Sequence, residues 1–123
     1  MRALVIDDSK AIRAILGKML RDMGYEVAEA EDGQMALEVL KKEAPLDIAL
    51  VDWNMPQMNG YDFVKAVRAM REYDELRLMM VTTENEISKM IEALDAGADE
   101  YVMKPFTKEI IVEKLRLIGM ELV

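Results

Sequence analysis

Five polar residues of this 123-residue chain follow directly after apolar runs, and their side chains are three carboxylates, a hydroxyl and an ammonium group. They are Asp7 and Asp8 after residues 3–6, Asp52 after residues 48–51, Thr82 after residues 78–81 and Lys104 after residues 101–103. If the carboxylates lie together, they need raised pKa values or a cation among them, because each pair about 4 Å apart costs roughly 4 kcal/mol at an effective dielectric constant near 20. Mg²⁺ suits such a site, since it prefers oxygen ligands and is often held by one or two carboxylates and a phosphoryl oxygen.

A site of this kind requires the apolar runs to be neighbouring parallel strands. Strand-like apolar runs alternate five times with stretches of helical period, without a Ser/Gly-rich linker or a change of composition. The pattern predicts an α/β fold in which one βα unit is repeated five times, with right-handed crossovers and helices on both faces of a single sheet. The carboxyl ends of parallel strands share one edge of the sheet, where open α/β folds bind ligands. We expect one domain over residues 1–123.

Two of the predicted helices carry specific expectations. The fourth helix, which ends at Ala96-Gly97, is expected to bury an apolar stripe made of Ile87, Met90, Ile91 and Leu94. The last helix is expected to begin after Thr107 as its N-cap and to turn Ile111, Leu115 and Ile118 toward the sheet.

Composition excludes several classes of function. The formal net charge of −8 argues against binding to nucleic acid or to an anionic membrane surface, because both depend on a basic face. The chain contains no Cys and no His, which removes the usual zinc sites and the thiol and imidazole nucleophiles. No apolar run approaches the roughly 20 residues of a membrane span, and no secretion signal is present, so a cytoplasmic location is expected.

Four segments of the chain resemble the signatures of response-regulator receiver domains. These segments are residues 6–8, 51–60, 81–84 and 101–106, and the resemblance extends from one end of the chain to the other. Within the family, residues 52–56 (Asp-Trp-Asn-Met-Pro), Glu84 and Tyr101 are most similar to the chemotaxis regulators. The resemblance implies a five-stranded parallel, flavodoxin-like, doubly wound sheet with the strand order 2-1-3-4-5.

The resemblance also implies a chemistry for the polar residues. Asp52 would be the nucleophile that accepts a phosphoryl group from a sensor histidine kinase and becomes an aspartyl phosphate. Mg²⁺ would be bound directly by Asp8 and Asp52, through water by Asp7, and by the backbone carbonyl of Asn54. Lys104, the Thr82 hydroxyl and the backbone N–H groups of Trp53 and Thr83 would contact the phosphoryl oxygens. A cis peptide before Pro105 would direct Lys104 inward, as in the family.

Such a protein is a signalling switch that catalyses its own phosphotransfer and autodephosphorylation, not an enzyme with a separate substrate. Movements of Thr82 and Tyr101 would change the surface formed by the fourth helix, the fifth strand and the fifth helix. That surface would bind a downstream target, which is the flagellar motor switch if the chemotaxis likeness holds. Asn54 and Glu84 would set how readily water reaches the phosphoryl group.

Other interpretations of the same residues stay open at this point. Taken singly, Asp7-Asp8-Ser9 could cap a helix, Asp52 could open a turn, and Tyr101 could be a core aromatic. Thr82 could equally be a strand-end hydroxyl and Lys104 a solvated surface charge.

Three other functions compete with the signalling switch. The same chemistry would serve a phosphate shuttle or sink in a phosphorelay. A magnesium-dependent phosphohydrolase of the haloacid-dehalogenase type would need a second Asp where Asn54 stands. A flavin electron carrier would need a phosphate-cradling loop after the first strand, where residues 7–10 have the wrong charge.

Overall fold

Five strands and five helices alternate along the chain in the computed structural model, which describes residues 1–43 and 45–120. The strands are β1 (Arg2–Ile6), β2 (Glu26–Ala30), β3 (Ile48–Val51), β4 (Arg77–Thr82) and β5 (Glu100–Met103). The helices are α1 (Lys10–Asp22), α2 (Gly33–Glu43), α3 (Gly60–Arg68), α4 (Ile87–Ala96) and α5 (Lys108–Leu117), with a short 3₁₀ turn at Arg71–Tyr73. The strands are parallel and lie in the order β2-β1-β3-β4-β5, so the predicted fold class and strand order are confirmed.

The strand register brings the carboxyl ends of the central strands together. Ile6 at the end of β1 lies opposite Val51 at the end of β3, and Thr82 at the end of β4 lies opposite Met103. The ladder continues past the strands, because the N–H of Asp52 donates to the carbonyl of Ile6 at 2.9 Å. The backbone therefore fixes the residues that follow β1, β3 and β4 along one edge.

Alternate residues of each buried strand face two different core layers. Ala3 and Val5 of β1 face the layer beneath α1 and α5, which also contains Leu16, Leu20, Ile111 and Leu115. Leu4 and Ile6 face the layer beneath α2, α3 and α4, which also contains Leu40, Phe63, Val64, Val67 and Ala93. Both faces of the sheet are covered, which explains why its central strands are continuous apolar runs.

The expectation for α4 is wrong in most of its residues. Ile87, Ile91 and Leu94 are 74%, 53% and 41% exposed, and Ala93 is the buried residue of the helix. The three exposed residues lie on the flank of α4 that is opposite to Lys89, whose ammonium group sits over the Trp53 ring beside α3. That flank lies on the side of α4 away from α3, toward β5, and no strand lies beyond β5 among the residues that the structure describes.

The start and the inner face of α5 match the expectation. The Thr107 hydroxyl accepts a hydrogen bond from the Ile110 N–H at 3.2 Å, as an N-cap does. Ile111 and Leu115 are buried, and Ile118 packs partly buried against the same core layer. The helix is therefore held in place beside β5.

Arg68 ties the end of α3 to the two connections below it. Its guanidinium group donates to the carbonyl oxygens of Gly97, Tyr73 and Leu76 and pairs with the Asp99 carboxylate at 3.0 Å.

Among the residues that the structure describes, no helix is long and apolar enough to cross a membrane.

Candidate functional site

Three carboxylates meet at the carboxyl edge of the sheet. One oxygen from each of Asp7, Asp8 and Asp52 lies within 4.8 Å of the others. Asp7 and Asp52 are buried, whereas Asp8 is exposed. An all-oxygen donor set with one exposed member fits a hard cation such as Mg²⁺, which keeps part of its water shell. The residues present therefore fit the metal that the sequence predicts.

Lys104 supplies the positive charge nearest to this acidic cluster. Its ammonium nitrogen lies 2.8 Å from an Asp7 oxygen and 3.6 Å from an Asp52 oxygen, and its side chain is 14% exposed. The Lys104 N–H donates to the Thr82 carbonyl at 2.9 Å, and the Lys104–Pro105 peptide is cis, as the resemblance implied. Lys104 is therefore paired more closely with Asp7 than with Asp52.

The carboxyl group of Asp52 is held in an unfavourable environment for its charge. Burial is the largest cause that raises its pKa above the usual range, and the charge of Asp7 raises the pKa further. Lys104, a hydrogen bond with Thr82 and the Trp53 N–H, which donates to Asp52 Oδ1 at 2.8 Å, lower this pKa in part. A cation in the cluster would relieve the same strain on the ionised form.

Thr82 and Tyr101 both contact the backbone of Glu84, and their roles in a switch stay predictions. Thr82 is fully buried, and its hydroxyl accepts a hydrogen bond from the Glu84 N–H at 3.3 Å. Tyr101 is 5% exposed, and its hydroxyl donates to the Glu84 carbonyl at 2.8 Å. Burial, followed by the nearby charges of Glu84 and Asp52, raises the pKa of Tyr101 to about 12. Tyr101 is thus turned inward and stays neutral at physiological pH.

Asn54 and Glu84 belong to two different loops beside the acidic cluster. The Asn54 amide donates to a Glu84 carboxylate oxygen at 3.1 Å, so the two side chains contact each other. Their influence on dephosphorylation and the metal contact of the Asn54 carbonyl stay predictions. Thr83 is exposed, and its backbone contact with a phosphoryl group also stays a prediction.

Two features of the site were not predicted from the sequence. Gly60 approaches the backbone of Asp52 so closely that a Cβ atom at this position would lie 2.0 Å from the Asp52 carbonyl oxygen. The Gly60 N–H also donates to the Trp53 carbonyl at 2.9 Å, which closes the loop that follows β3. Arg13 donates to the Asp7 carbonyl and pairs with Glu29 at 3.1 Å, which anchors the loop after β1. The contact of Gly60 has a weak sequence signal, which is a Gly at the end of a loop motif. No sequence signal marks the contacts of Arg13.

A row of aromatic rings and cations was also not predicted from the sequence. The Trp53 and Tyr61 rings stack with their centroids 5.2 Å apart and their planes 4° from parallel. The Lys89 ammonium lies 5.2 Å from the Trp53 ring centroid, and the Lys65 ammonium lies 5.0 Å from that of Tyr61. These contacts join the loop after β3 to α3 and α4, so apart from the pair of Tyr61 and Lys65, four residues apart in α3, no local sequence period indicates them.

Comparisons with known proteins agree with this fold. The family of response regulator receiver domains matches residues 3–116. Chemotaxis protein CheY1 of Helicobacter pylori strain J99 is 44% identical over 96% of both chains, and chemotaxis protein CheY of Pseudomonas aeruginosa is 42% identical over 96% of this chain and 95% of its own length. The crystallised chemotaxis protein CheY4 of Vibrio cholerae is 39% identical, with a TM-score of 0.88 over 95% of this chain and 97% of that one.

The chain therefore belongs to the response regulator receiver domain family, and it is a protein of two-component signalling. Among its relatives in that family are chemotaxis proteins named CheY, with which it shares 42–44% of its residues. The resemblance inferred from the four sequence segments is confirmed.

Proposed function

We propose that this protein is a phosphorylation-driven switch in which Asp52 accepts a phosphoryl group from a phosphohistidine of a sensor kinase in the cytoplasm. The observation that carries the proposal is the position of Asp52. It follows the central strand β3, its side chain is buried, Asp7 and Asp8 lie within 4.8 Å, and the Lys104 ammonium is 3.6 Å away. A carboxylate so placed combines a nucleophile with the charges that phosphoryl transfer needs.

In the proposed step, an Asp52 oxygen attacks phosphorus and forms a P–O bond as the P–N bond to the donor imidazole breaks. The imidazole keeps the electron pair of that bond and takes up a proton. The Trp53 N–H fixes the orientation of the Asp52 carboxylate through its 2.8 Å hydrogen bond. Lys104 exchanges its closest partner, Asp7, for a phosphoryl oxygen. When Mg²⁺ is bound by Asp7, Asp8, Asp52 and the Asn54 carbonyl, it supplies further neutralisation of the phosphoryl charge.

The switch itself is proposed to operate through Thr82 and Tyr101. The Thr82 hydroxyl turns toward the phosphoryl group, and the inward position of Tyr101, which the structure already shows, is then stabilised further against an outward one. Inverting such an equilibrium from 1:99 to 99:1 takes about 5.5 kcal/mol. Hydrogen bonds to charged groups contribute about 1.5–3 kcal/mol each, so about two to four of them suffice.

The output surface is proposed to be the face formed by α4, β5 and α5. An uncovered apolar stripe on α4 borders the free edge of β5, where Met103 is 46% exposed, and Ile110 and Leu117 of α5 are also exposed. Exposed apolar groups gathered at one place are typical of protein interaction sites. The CheY relatives favour a target in chemotaxis, such as the flagellar motor switch, over a role as phosphate shuttle.

Phosphorylation by a small donor tests the chemistry. The protein is incubated with acetyl phosphate in the presence of Mg²⁺ or EDTA, and the phosphorylated residue is trapped by borohydride reduction and located by mass spectrometry. We expect modification at Asp52 with Mg²⁺ only, and none in Asp52→Asn. Modification of another residue, or an equal yield in EDTA, would contradict the proposal.

State-dependent capture of a target tests the switch. The protein is loaded with Mg²⁺ and beryllofluoride, which mimics the phosphoryl group, and its captured partners are compared with those of the unloaded protein. We expect Thr82→Ala and Tyr101→Ala to weaken the difference between the two states, and Tyr73→Ala, as a control outside the site, to preserve it. State-selective capture of a histidine phosphotransfer protein alone would favour the shuttle.

A further inference from the structure

We infer that Lys89 and Tyr61 are positioning residues for the reaction at Asp52, acting through the Trp53 ring. The inference deepens the proposed function and rests on it. The starting observation is that the Trp53 backbone N–H donates to Asp52 Oδ1 at 2.8 Å, so the position of Trp53 decides how one oxygen of the nucleophile is held.

The Trp53 side chain is fixed by contacts from two different helices. Tyr61 in the first turn of α3 stacks on it at 5.2 Å with nearly parallel planes, and Lys89 in the first turn of α4 places its ammonium 5.2 Å from the ring centroid. Trp53 as a whole is only 6% exposed, so its ring is confined between protein groups. Together these contacts restrict the indole, and with it the peptide that joins Asp52 and Trp53.

The geometry of the contacts matches the known preferences of such groups. A cation within about 6 Å of a ring centroid is attracted by the negative face of the ring, and Trp is the best aromatic partner. Offset stacking of two aromatic rings at 4.5–7 Å is also favourable. Lys65 lies 5.0 Å from the Tyr61 ring centroid, which extends the row to a second cation on α3.

The row of contacts also joins the site to α4. Lys89 is the member of this row that belongs to α4, and it lies on the flank opposite to the exposed stripe of Ile87, Ile91 and Leu94. A shift of the Asp52–Trp53 peptide when the carboxylate is phosphorylated would therefore be felt at the first turn of α4. A substitution at Lys89 is therefore expected to change the rate of phosphorylation at Asp52, because it changes how firmly the Asp52–Trp53 peptide is held.

Lys89 has a second partner, and this partner provides a matched control. Its ammonium lies 3.9 Å from a Glu92 oxygen one turn later in α4. Lys89→Met removes both the ion pair and the cation–ring contact, whereas Glu92→Gln removes the ion pair alone. Lys89→Arg keeps a cation over the ring, Tyr61→Phe keeps the stack, and Tyr61→Leu removes it.

The experiment compares these variants in two measurements on the full chain. The first is the rate of Asp52 phosphorylation by acetyl phosphate with saturating Mg²⁺. The second is amide hydrogen exchange of residues 87–91, with and without Mg²⁺ and beryllofluoride. We expect Lys89→Met and Tyr61→Leu to slow phosphorylation by about threefold to tenfold, the size of one partly exposed cation–π or stacking contact. The exchange difference over residues 87–91 should shrink in both variants.

Three variants should behave like the unmodified protein, namely Lys89→Arg, Tyr61→Phe and Glu92→Gln. The affinity for Mg²⁺ should be the same in all variants, because none of the substituted side chains belongs to the acidic cluster. Loss of rate with rescue by the conservative variants supports a positioning role. Equal rates in Lys89→Met and Lys89→Arg, or a loss explained by weakened Mg²⁺ binding, overturn the inference alone. Absence of phosphorylation in the unmodified protein overturns the proposed function and this inference together.

Discussion

Replacement of Lys104 by Met should make the protein bind Mg²⁺ more tightly, although Lys104 is proposed to assist the reaction. Without a phosphoryl group, the Lys104 ammonium pairs with Asp7 at 2.8 Å and Asp52 at 3.6 Å, both of which are proposed metal ligands. Lys104 and Mg²⁺ therefore compete to neutralise the same charges. Met has a similar length and no charge, so the substitution removes the competitor while the side-chain volume is largely kept.

The size of the effect follows from the two distances. At the dielectric constant of water, the attractions of Lys104 to Asp7 and Asp52 are about 1.5 and about 1.2 kcal/mol, and at an effective value near 20 they are about 6 and about 4.6 kcal/mol. Because the Lys104 side chain is only 14% exposed, the first two values are lower limits. Suppose that Mg²⁺ binding removes half of the summed attraction of Lys104 to the two carboxylates, taken at these lower limits. The loss is then about 1.4 kcal/mol, and Mg²⁺ binds the unmodified protein about tenfold more weakly than it binds Lys104→Met.

Titration calorimetry with MgCl₂ at fixed pH and ionic strength measures this difference. We expect at least tenfold tighter binding in Lys104→Met and no change in Lys41→Met. Lys41 carries the same charge in the last turn of α2, at the opposite edge of the sheet. Phosphorylation of Lys104→Met by acetyl phosphate should nevertheless be slower. Unchanged or weaker Mg²⁺ affinity in Lys104→Met would refute the competition between the ammonium and the metal.

Three further substitutions probe stability, two of them at the site and one at the opposite edge of the sheet. Asp52→Asn should raise the free energy of unfolding in EDTA at pH 7 by about 1–3 kcal/mol, because burial raises the pKa of Asp52 and the charged form is costly when folded. That gain in stability should shrink as the pH falls toward the usual carboxyl range, because the raised pKa lets Asp52 of the unmodified protein take up a proton while the protein is folded. Urea unfolding at several pH values measures the difference. Gly60→Ala should destabilise the protein by about 1–3 kcal/mol in the same assay and slow phosphorylation, since its Cβ would collide with the Asp52 carbonyl 2.0 Å away. Arg68→Met should cost about 1.5–3 kcal/mol of stability through lost hydrogen bonds to backbone carbonyls, with unchanged Mg²⁺ affinity by calorimetry.

The positions of the acidic residues could be predicted because they depend only on where strands end. Once five βα units are recognised, parallel pairing forces Asp7, Asp52 and Thr82 to one edge. The burial of α4 could not be predicted in the same way. A helical period shows that Ile87 and Ile91 share a flank, but not whether a strand lies beyond that flank. At the free edge of β5 none does, and the stripe stays exposed.

Contacts made by the loop side chains could not be predicted from the sequence either. The stack of Trp53 on Tyr61 depends on the path of the loop after β3, which Gly60 closes by its contact with the Asp52 backbone. The closer pairing of Lys104 with Asp7 than with Asp52 depends on differences of less than one ångström. Hydropathy and spacing fix which residues share an edge, whereas tertiary packing decides which atoms touch.

The two outer edges of the sheet differ in how they resist aggregation. At β2, the exposed Glu29 carries a charge paired with Arg13 and Arg21, and Glu26 is also exposed, which discourages another chain from adding a strand there. At β5, the Glu100 charge is paired with Lys114, and apolar side chains are exposed nearby, with Met103 46% and Ile91 53% exposed. Concentrated preparations should therefore self-associate through the β5 side first. A lysine placed at Ile91 would improve colloidal stability at the expense of the surface that a target would use.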